Sequence, residues 1–171
     1  MVTSHSTYFR SFLSNGKDII TLAEEEQHVR SYLEIQQVRY RDILRYEIDI
    51  APSIESCLIP KMTLQPLVEN AIYHGIKPKR GQGLLRVTGK RCGEVATLRV
   101  EDSGIGMSAE ELAALRAKVE GEDETSFGLV AASKRLKLMY GSACGFTIES
   151  KAGQGTCVSI RIPLKEEAYE T

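Results

Sequence analysis

In the stretch Leu64-Gln65-Pro66-Leu67-Val68-Glu69-Asn70-Ala71-Ile72-Tyr73-His74-Gly75, a polar pair, Glu69-Asn70, interrupts an otherwise apolar run. A buried asparagine must find hydrogen-bonding partners or it costs free energy. One fitting partner is a magnesium ion holding phosphates, since magnesium takes oxygen ligands and keeps several waters. For this stretch alone, a bond to neighbouring backbone is the simpler account. A second stretch, Glu101-Asp102-Ser103-Gly104-Ile105-Gly106-Met107, places an acid and spaced glycines at the end of an alternating apolar segment. Glycines let backbone approach a ligand closely, and a carboxylate there can accept a hydrogen bond from an amino group; a tight turn would explain the same residues. In the third, Ser126-Phe127-Gly128-Leu129, a loop runs into a helix start, where free amides suit anionic phosphate. Gly153-Gln154-Gly155-Thr156 is a signal of the same kind, less specific by itself.

These stretches need elements to hold them. Thr21-Leu22-Ala23-Glu24 is a capping box and opens a helix reaching about Tyr40, with Leu22, Val29, Tyr32, Leu33 and Tyr40 on one face. Arg45 to Ile50 alternates as a half-buried strand. Pro52 and Pro60 bracket a loop, Met62 to His74 reads as a mostly buried helix, and Gly75 to Gly83 is basic and turn-rich. Leu84 to Lys90 and Val95 to Glu101 form a hairpin. Ser108-Ala109-Glu110-Glu111 opens a helix to about Val119, and the acidic, aperiodic Glu120 to Phe127 reads as a mobile loop. Gly128 to Tyr140 is helical, and a second hairpin pairs Phe146 and Ile148 with Val158, Ile160 and Ile162 across a glycine turn. Tyr8 to Ser14 reads as a helix end, stopped at Asn15-Gly16. The order predicts an α+β, two-layer sandwich of helices on a mixed, mostly antiparallel sheet.

Composition narrows the function classes. The 171 residues are 42% hydrophobic and 26% charged, which suits one globular domain with a real core. With 22 basic and 23 acidic residues the net charge is −1, so no basic surface points to nucleic acid or an anionic membrane. Cys57, Cys92, Cys144 and Cys157 show no zinc spacing and fit a reducing compartment. No apolar run approaches the roughly 20 residues of a membrane span.

Taken together, LQPLVENAIYHGI, DSGIGM, FGL and GQGT, in this order, resemble the ATP-binding (GHKL, or Bergerat) fold shared by histidine kinases, gyrase-type topoisomerases, ninety-kilodalton heat-shock chaperones and mismatch-repair ATPases. Within it the chain is similar to the LytS-like subfamily of sensor histidine kinases, and ITLAEEEQHVRSYLEIQQVRY resembles that subfamily's connector. The resemblance runs from about Leu13 to Leu164. It implies that Asn70 ligates magnesium bridging the ATP phosphates, and that Asp102 bonds the adenine amino group. Gly104, Gly106 and Met107 would shape the adenine pocket. Glu120 to Phe127 would be the ATP lid, with Phe127, Gly128 and Leu129 at its C-terminal side. Gly153, Gly155 and Thr156 would lie beside the adenine.

The chain departs from the family at two positions. A lysine common three residues after the asparagine is replaced by Tyr73, leaving His74, Lys77 or Lys79 to supply positive charge. The catalytic glutamate of the hydrolysing relatives, four residues before the asparagine, is replaced by Pro66, which disfavours a fast free-standing ATPase. Glu69 is out of register for that base and is at most an ordering group near the site. The subfamily's phosphoacceptor motif is absent, and His5 and His28 do not match it, so ATP binding without phosphorylation of the chain itself is expected. The expected division is residues 1–20 as a ragged start and tail of a dimerisation segment, 21–44 as connector and 45–171 as catalytic domain. The implied partners are ATP, a phosphoacceptor histidine domain of the same protein and a response regulator; nucleic acid is not among them. The expected setting is the cytoplasmic part of a membrane-anchored bacterial sensor, with the anchor in N-terminal segments outside this sequence. The rivals are another ATPase of this fold, an anti-sigma-type serine kinase and a non-catalytic interaction module.

Overall fold

The elements run β1 (Ile19–Thr21), α1 (Leu22–Arg39), β2 (Leu44–Ile50), β3 (Leu58–Pro60), α2 (Gln65–Asn70, prolonged by a π-helical stretch Ala71–Ile76), β4 (Gly83–Cys92), β5 (Val95–Asp102), α3 (Ala109–Glu120), α4 (Gly128–Tyr140), β6 (Gly145–Lys151) and β7 (Gly155–Pro163). This computed structural model describes residues 18–121 and 128–164. The helix end at Tyr8 to Ser14, the stop at Asn15-Gly16, His5, Phe127 and most of the Glu120 to Phe127 loop lie outside them.

Both capping boxes form. Glu24 N donates to Thr21 Oγ1 at 3.2 Å and Thr21 N donates to Glu24 Oε2 at 2.9 Å, which fixes where α1 begins. Ser108 and Glu111 exchange the same pair of bonds, at 3.2 and 3.1 Å, at the start of α3. The segment between Pro52 and Pro60 is more ordered than a loop. It carries a 3-10 turn, and β3 pairs antiparallel with β1, a short ribbon with too few residues to show a period in the sequence. α2 begins at Gln65 rather than Met62, because Met62 sits at φ +65, outside helical space.

The main sheet has the strand order β2-β4-β5-β7-β6, parallel only between β2 and β4. That is the mixed, mostly antiparallel sheet the alternating segments predict. Alternation sends Leu85, Val87, Leu98, Val100, Val158 and Ile160 inward, where they share a core with Leu33 of α1, Leu67 and Ile72 of α2 and Leu136 of α4. The other face is charged and open, with Arg86 and Glu47 3.0 Å apart and Arg99 and Glu101 2.8 Å apart. Among the described residues no helix is long and apolar enough to cross a membrane.

Register decides what the sheet presents at one end. Asp102 pairs with Leu85 on β4 and Thr156 on β7, and Thr156 pairs with Ser150 on β6. Asp102, Thr156 and Ser150 thus form one row across three adjacent strands, at the end of the sheet that α2 crosses.

Candidate functional site

Asp102 ends β5 on the inward face and is 8% exposed. Its Oδ1 accepts from Gly104 N at 2.8 Å, and it forms no ion pair among the described residues. Burial pushes its carboxyl up to about 6, against the opposing pull of backbone hydrogen bonds from Gly104 and Thr156. A carboxylate held in this way costs free energy unless a ligand donor satisfies it.

Glycines close around the acid, and the close approaches show why side chains are missing there. A β-carbon at Gly75 would lie 2.5 Å from Asp102 Oδ1, and one at Gly104 would lie 2.1 Å from the Gly75 carbonyl carbon. Gly155, at φ +87, would place one 1.9 Å from Asp102 O. The loop after β5 is then tied down on both sides. Ile105 N donates to Gly75 O at 3.0 Å and Gly153 N to Ile105 O at 2.7 Å. Met107 N donates to Ser150 Oγ at 2.9 Å, while Ser150 Oγ bonds Gly155 O at 2.9 Å and stands 2.8 Å from Thr156 Oγ1. The structure therefore gathers Asp102, Gly104, Gly106, Met107, Gly155 and Thr156 into one cluster.

Asn70 joins the cluster through its helix. It is the last α-helical residue of α2, just before the widened turn whose Gly75 touches Asp102. Single π-helical turns recur at functional sites. Asn70 is half-buried rather than buried, and its side chain is not spent on capping the π-helical stretch. Among the described residues no group of His, Cys, Asp or Glu could hold a metal by itself. Asn70 is the candidate for one magnesium oxygen, with ligand phosphates and water left to supply the rest.

The other expected residues are placed differently. Glu69 Oε1 accepts from Gln65 Nε2 at 3.1 Å along the same helix, and Glu69 lies near Tyr32, whose phenol burial pushes upward. His74 is exposed. Lys77 Nζ stands over the rings of Tyr40 and Tyr73, at 5.7 and 5.6 Å, and Lys79 Nζ donates to Ser103 O at 2.8 Å. Gly128, at φ +64, begins α4 in open space, and Leu129 is a core residue, 5% exposed. Sequence reasoning gave no role to Gly75 or Ser150. Ser150 had one usable signal, because the glycine turn sets it opposite Thr156.

A cleft of about 490 Å³ also opens at this end of the sheet. Its walls include Arg86, Glu101 and Glu149, which stand on the face opposite α2. Asp102, Ser150, Gly155 and Thr156 line the cleft as well, so it adjoins the row that carries the acid, whose carboxyl lies against Gly75.

The profile of the family described as "Histidine kinase-, DNA gyrase B-, and HSP90-like ATPase" matches residues 59–166, and that described as "Histidine kinase" matches residues 1–44. The chain is 35% identical to the sensor histidine kinase YesM of Bacillus subtilis, covering 98% of this chain and 28% of that protein. It is also 35% identical to the sensor protein LytS of Staphylococcus haemolyticus, covering 95% of this chain and 28% of that protein. The chain thus spans little more than a quarter of the length of these relatives. Among solved structures, the catalytic domain of the histidine kinase ThkA superimposes with a TM-score of 0.63 at 18% identity, covering 88% of this chain and 97% of that one. At that identity the likeness establishes the fold.

Proposed function

Because this chain belongs to the histidine kinase-, DNA gyrase B- and HSP90-like ATPase family, we propose that it is the ATP-binding catalytic part of a LytS-like sensor histidine kinase. The observation that carries the reading is Asp102: a buried carboxyl at a strand end, without an ionic partner among the described residues and walled by glycine backbone.

In this reading Asp102 accepts a hydrogen bond from the adenine amino group. A planar base lies beside the Gly104–Gly106 loop, whose glycines let that loop pack against the Gly75 and Lys151 backbone. Asn70 would hold magnesium through its amide oxygen, and the ion would supply positive charge against that of the phosphates. Pro66 occupies the position of the hydrolysing relatives' base and is buried. Glu69 accepts from Gln65 along the helix and is out of register for that base, so neither is placed to activate water. The site therefore positions the γ-phosphate for an external acceptor. That acceptor is a histidine on a phosphoacceptor segment of the same protein, and a response regulator receives the phosphoryl group next. Residues 21–44 act as connector and 45–171 as catalytic domain, on the cytoplasmic side of a membrane-anchored sensor.

Calorimetry of the purified chain with a non-hydrolysable ATP analogue tests the reading. Expected is binding that weakens when magnesium is removed. An absence of binding in both conditions would leave the fold in place and overturn the kinase assignment in favour of an interaction module.

A further inference from the structure

The site helix α2 has no cap of its own. Leu64, at its N-cap position, has no side chain able to accept a hydrogen bond, so the first amides would be left without partners. They are taken by Glu25, from the first turn of α1. Leu64 N and Gln65 N donate to Glu25 Oε1 at 2.9 and 3.3 Å, and Met62 N donates to Glu25 Oε2 at 3.3 Å. Glu25 is 0% exposed. A buried carboxylate survives only with such a set of donors.

The same point also anchors α4. Met62 holds a left-handed backbone at φ +65, and its carbonyl accepts from Arg135 of α4, whose guanidinium lies within the electrostatic reach of Glu25. Three helices therefore meet around one carboxylate, which caps the helix that ends at Asn70. Between Leu64 and Asn70 the helix is regular and short, about 9 Å, so a displacement at its start is carried to its end. The two sides of the contact also belong to different family matches. Glu25 lies in the one over residues 1–44, and Leu64 to Asn70 lie in the ATPase match over residues 59–166.

We infer that Glu25 is a positioning residue: it ties the asparagine helix to α1, so the phosphate end of the nucleotide site depends on where α1 sits. This rests on the ATP-binding reading above for its functional consequence, and on the hydrogen bonds alone for its structural one. A conventional Ser, Thr or Asp cap would hold α2 wherever α1 went. A cap lent by another element holds it only while the two stay together.

The experiment compares Glu25→Ala and Glu25→Gln with Glu26→Gln, a change on the same helix that removes only the Arg30 pair. Amide hydrogen exchange is measured without nucleotide. Affinity is measured for adenosine and for the magnesium complex of the non-hydrolysable ATP analogue. Expected for Glu25→Ala is faster exchange from Leu64 to Asn70 with β4 and β5 unchanged, and an affinity for the magnesium complex about five- to tenfold lower, with adenosine affinity kept. Glu25→Gln, which retains one acceptor oxygen, should fall between, and Glu26→Gln should match the parent. Equal loss of both affinities, or unchanged exchange from Leu64 to Asn70, would overturn the inference. If Glu25→Ala fails to fold, Glu25→Gln carries the same test. If the parent binds no nucleotide, the kinase reading fails, and the exchange measurement still decides whether Glu25 holds α2 to α1.

Discussion

At the residue scale, Asp102 links stability and function with opposite signs. Burial raises its carboxyl from the ordinary 3.8 to about 6, so the folded protein binds more protons than the unfolded chain between those values. Stability then falls as pH rises through that window, and the cost, on the order of 3 kcal/mol, is fully present above about pH 6. Asp102→Asn keeps an oxygen for the Gly104 amide and removes the charge. It should melt higher than the parent at neutral pH while binding adenine nucleotide at least tenfold more weakly, because its amide donates where adenine also donates. In the parent, nucleotide affinity should decline as pH drops below about 6, which a calorimetric titration series would show. Asn70→Ala should leave the melting temperature close to the parent's, since the side chain is half-buried and caps nothing. It should abolish the magnesium dependence of nucleotide binding; a variant that kept that dependence would remove Asn70 from the metal.

At the scale of elements, the glycines separate into two kinds. Gly104 and Gly155 have backbone where a β-carbon would stand, whereas Gly153, at φ +81, and Gly128, at φ +64, face open space. Gly155→Ala should therefore destabilise by roughly 3 kcal/mol or more, and Gly153→Ala by only about 1–2 kcal/mol, the cost of a left-handed alanine. Chemical denaturation of the two variants would check the contrast. Their sequence settings are nearly identical, two positions apart in one turn, and only the return of β7 beside Asp102 distinguishes them.

At the scale of the whole molecule, the chain spans 28% of relatives such as YesM, and the proposed transfer is to a histidine on a partner segment, since His28 and His74 do not match the phosphoacceptor motif. Incubated with magnesium and labelled ATP, the chain by itself should acquire no acid-labile phosphate on a histidine, and it should release inorganic phosphate slowly. A separately supplied upstream segment bearing the phosphoacceptor histidine should become labelled. Rapid phosphate release by the chain alone would instead place it with the hydrolysing members of the family, despite Pro66.

Much of this was legible locally. Capping boxes, alternating strands and the stretches around Asn70, Asp102 and Gly155 are written within a few residues of each other. Steric and hydrogen-bonding rules over such distances give them a recognisable period or spacing. They determined the α+β class, the element order and the candidate site residues. The tertiary structure decided what depends on distant contact. It set Gly75 against Asp102, aligned Ser150 with Thr156, paired β1 with β3, and drew Lys77 toward tyrosine rings and Lys79 toward Ser103. The run Glu24-Glu25-Glu26 shows the physical reason. Glu24 closes a capping box and Glu26 pairs with Arg30, both within four residues. Glu25, identical in type, caps a helix 39 residues away, and a bond over that separation leaves no pattern in the chain until folding brings its two ends together.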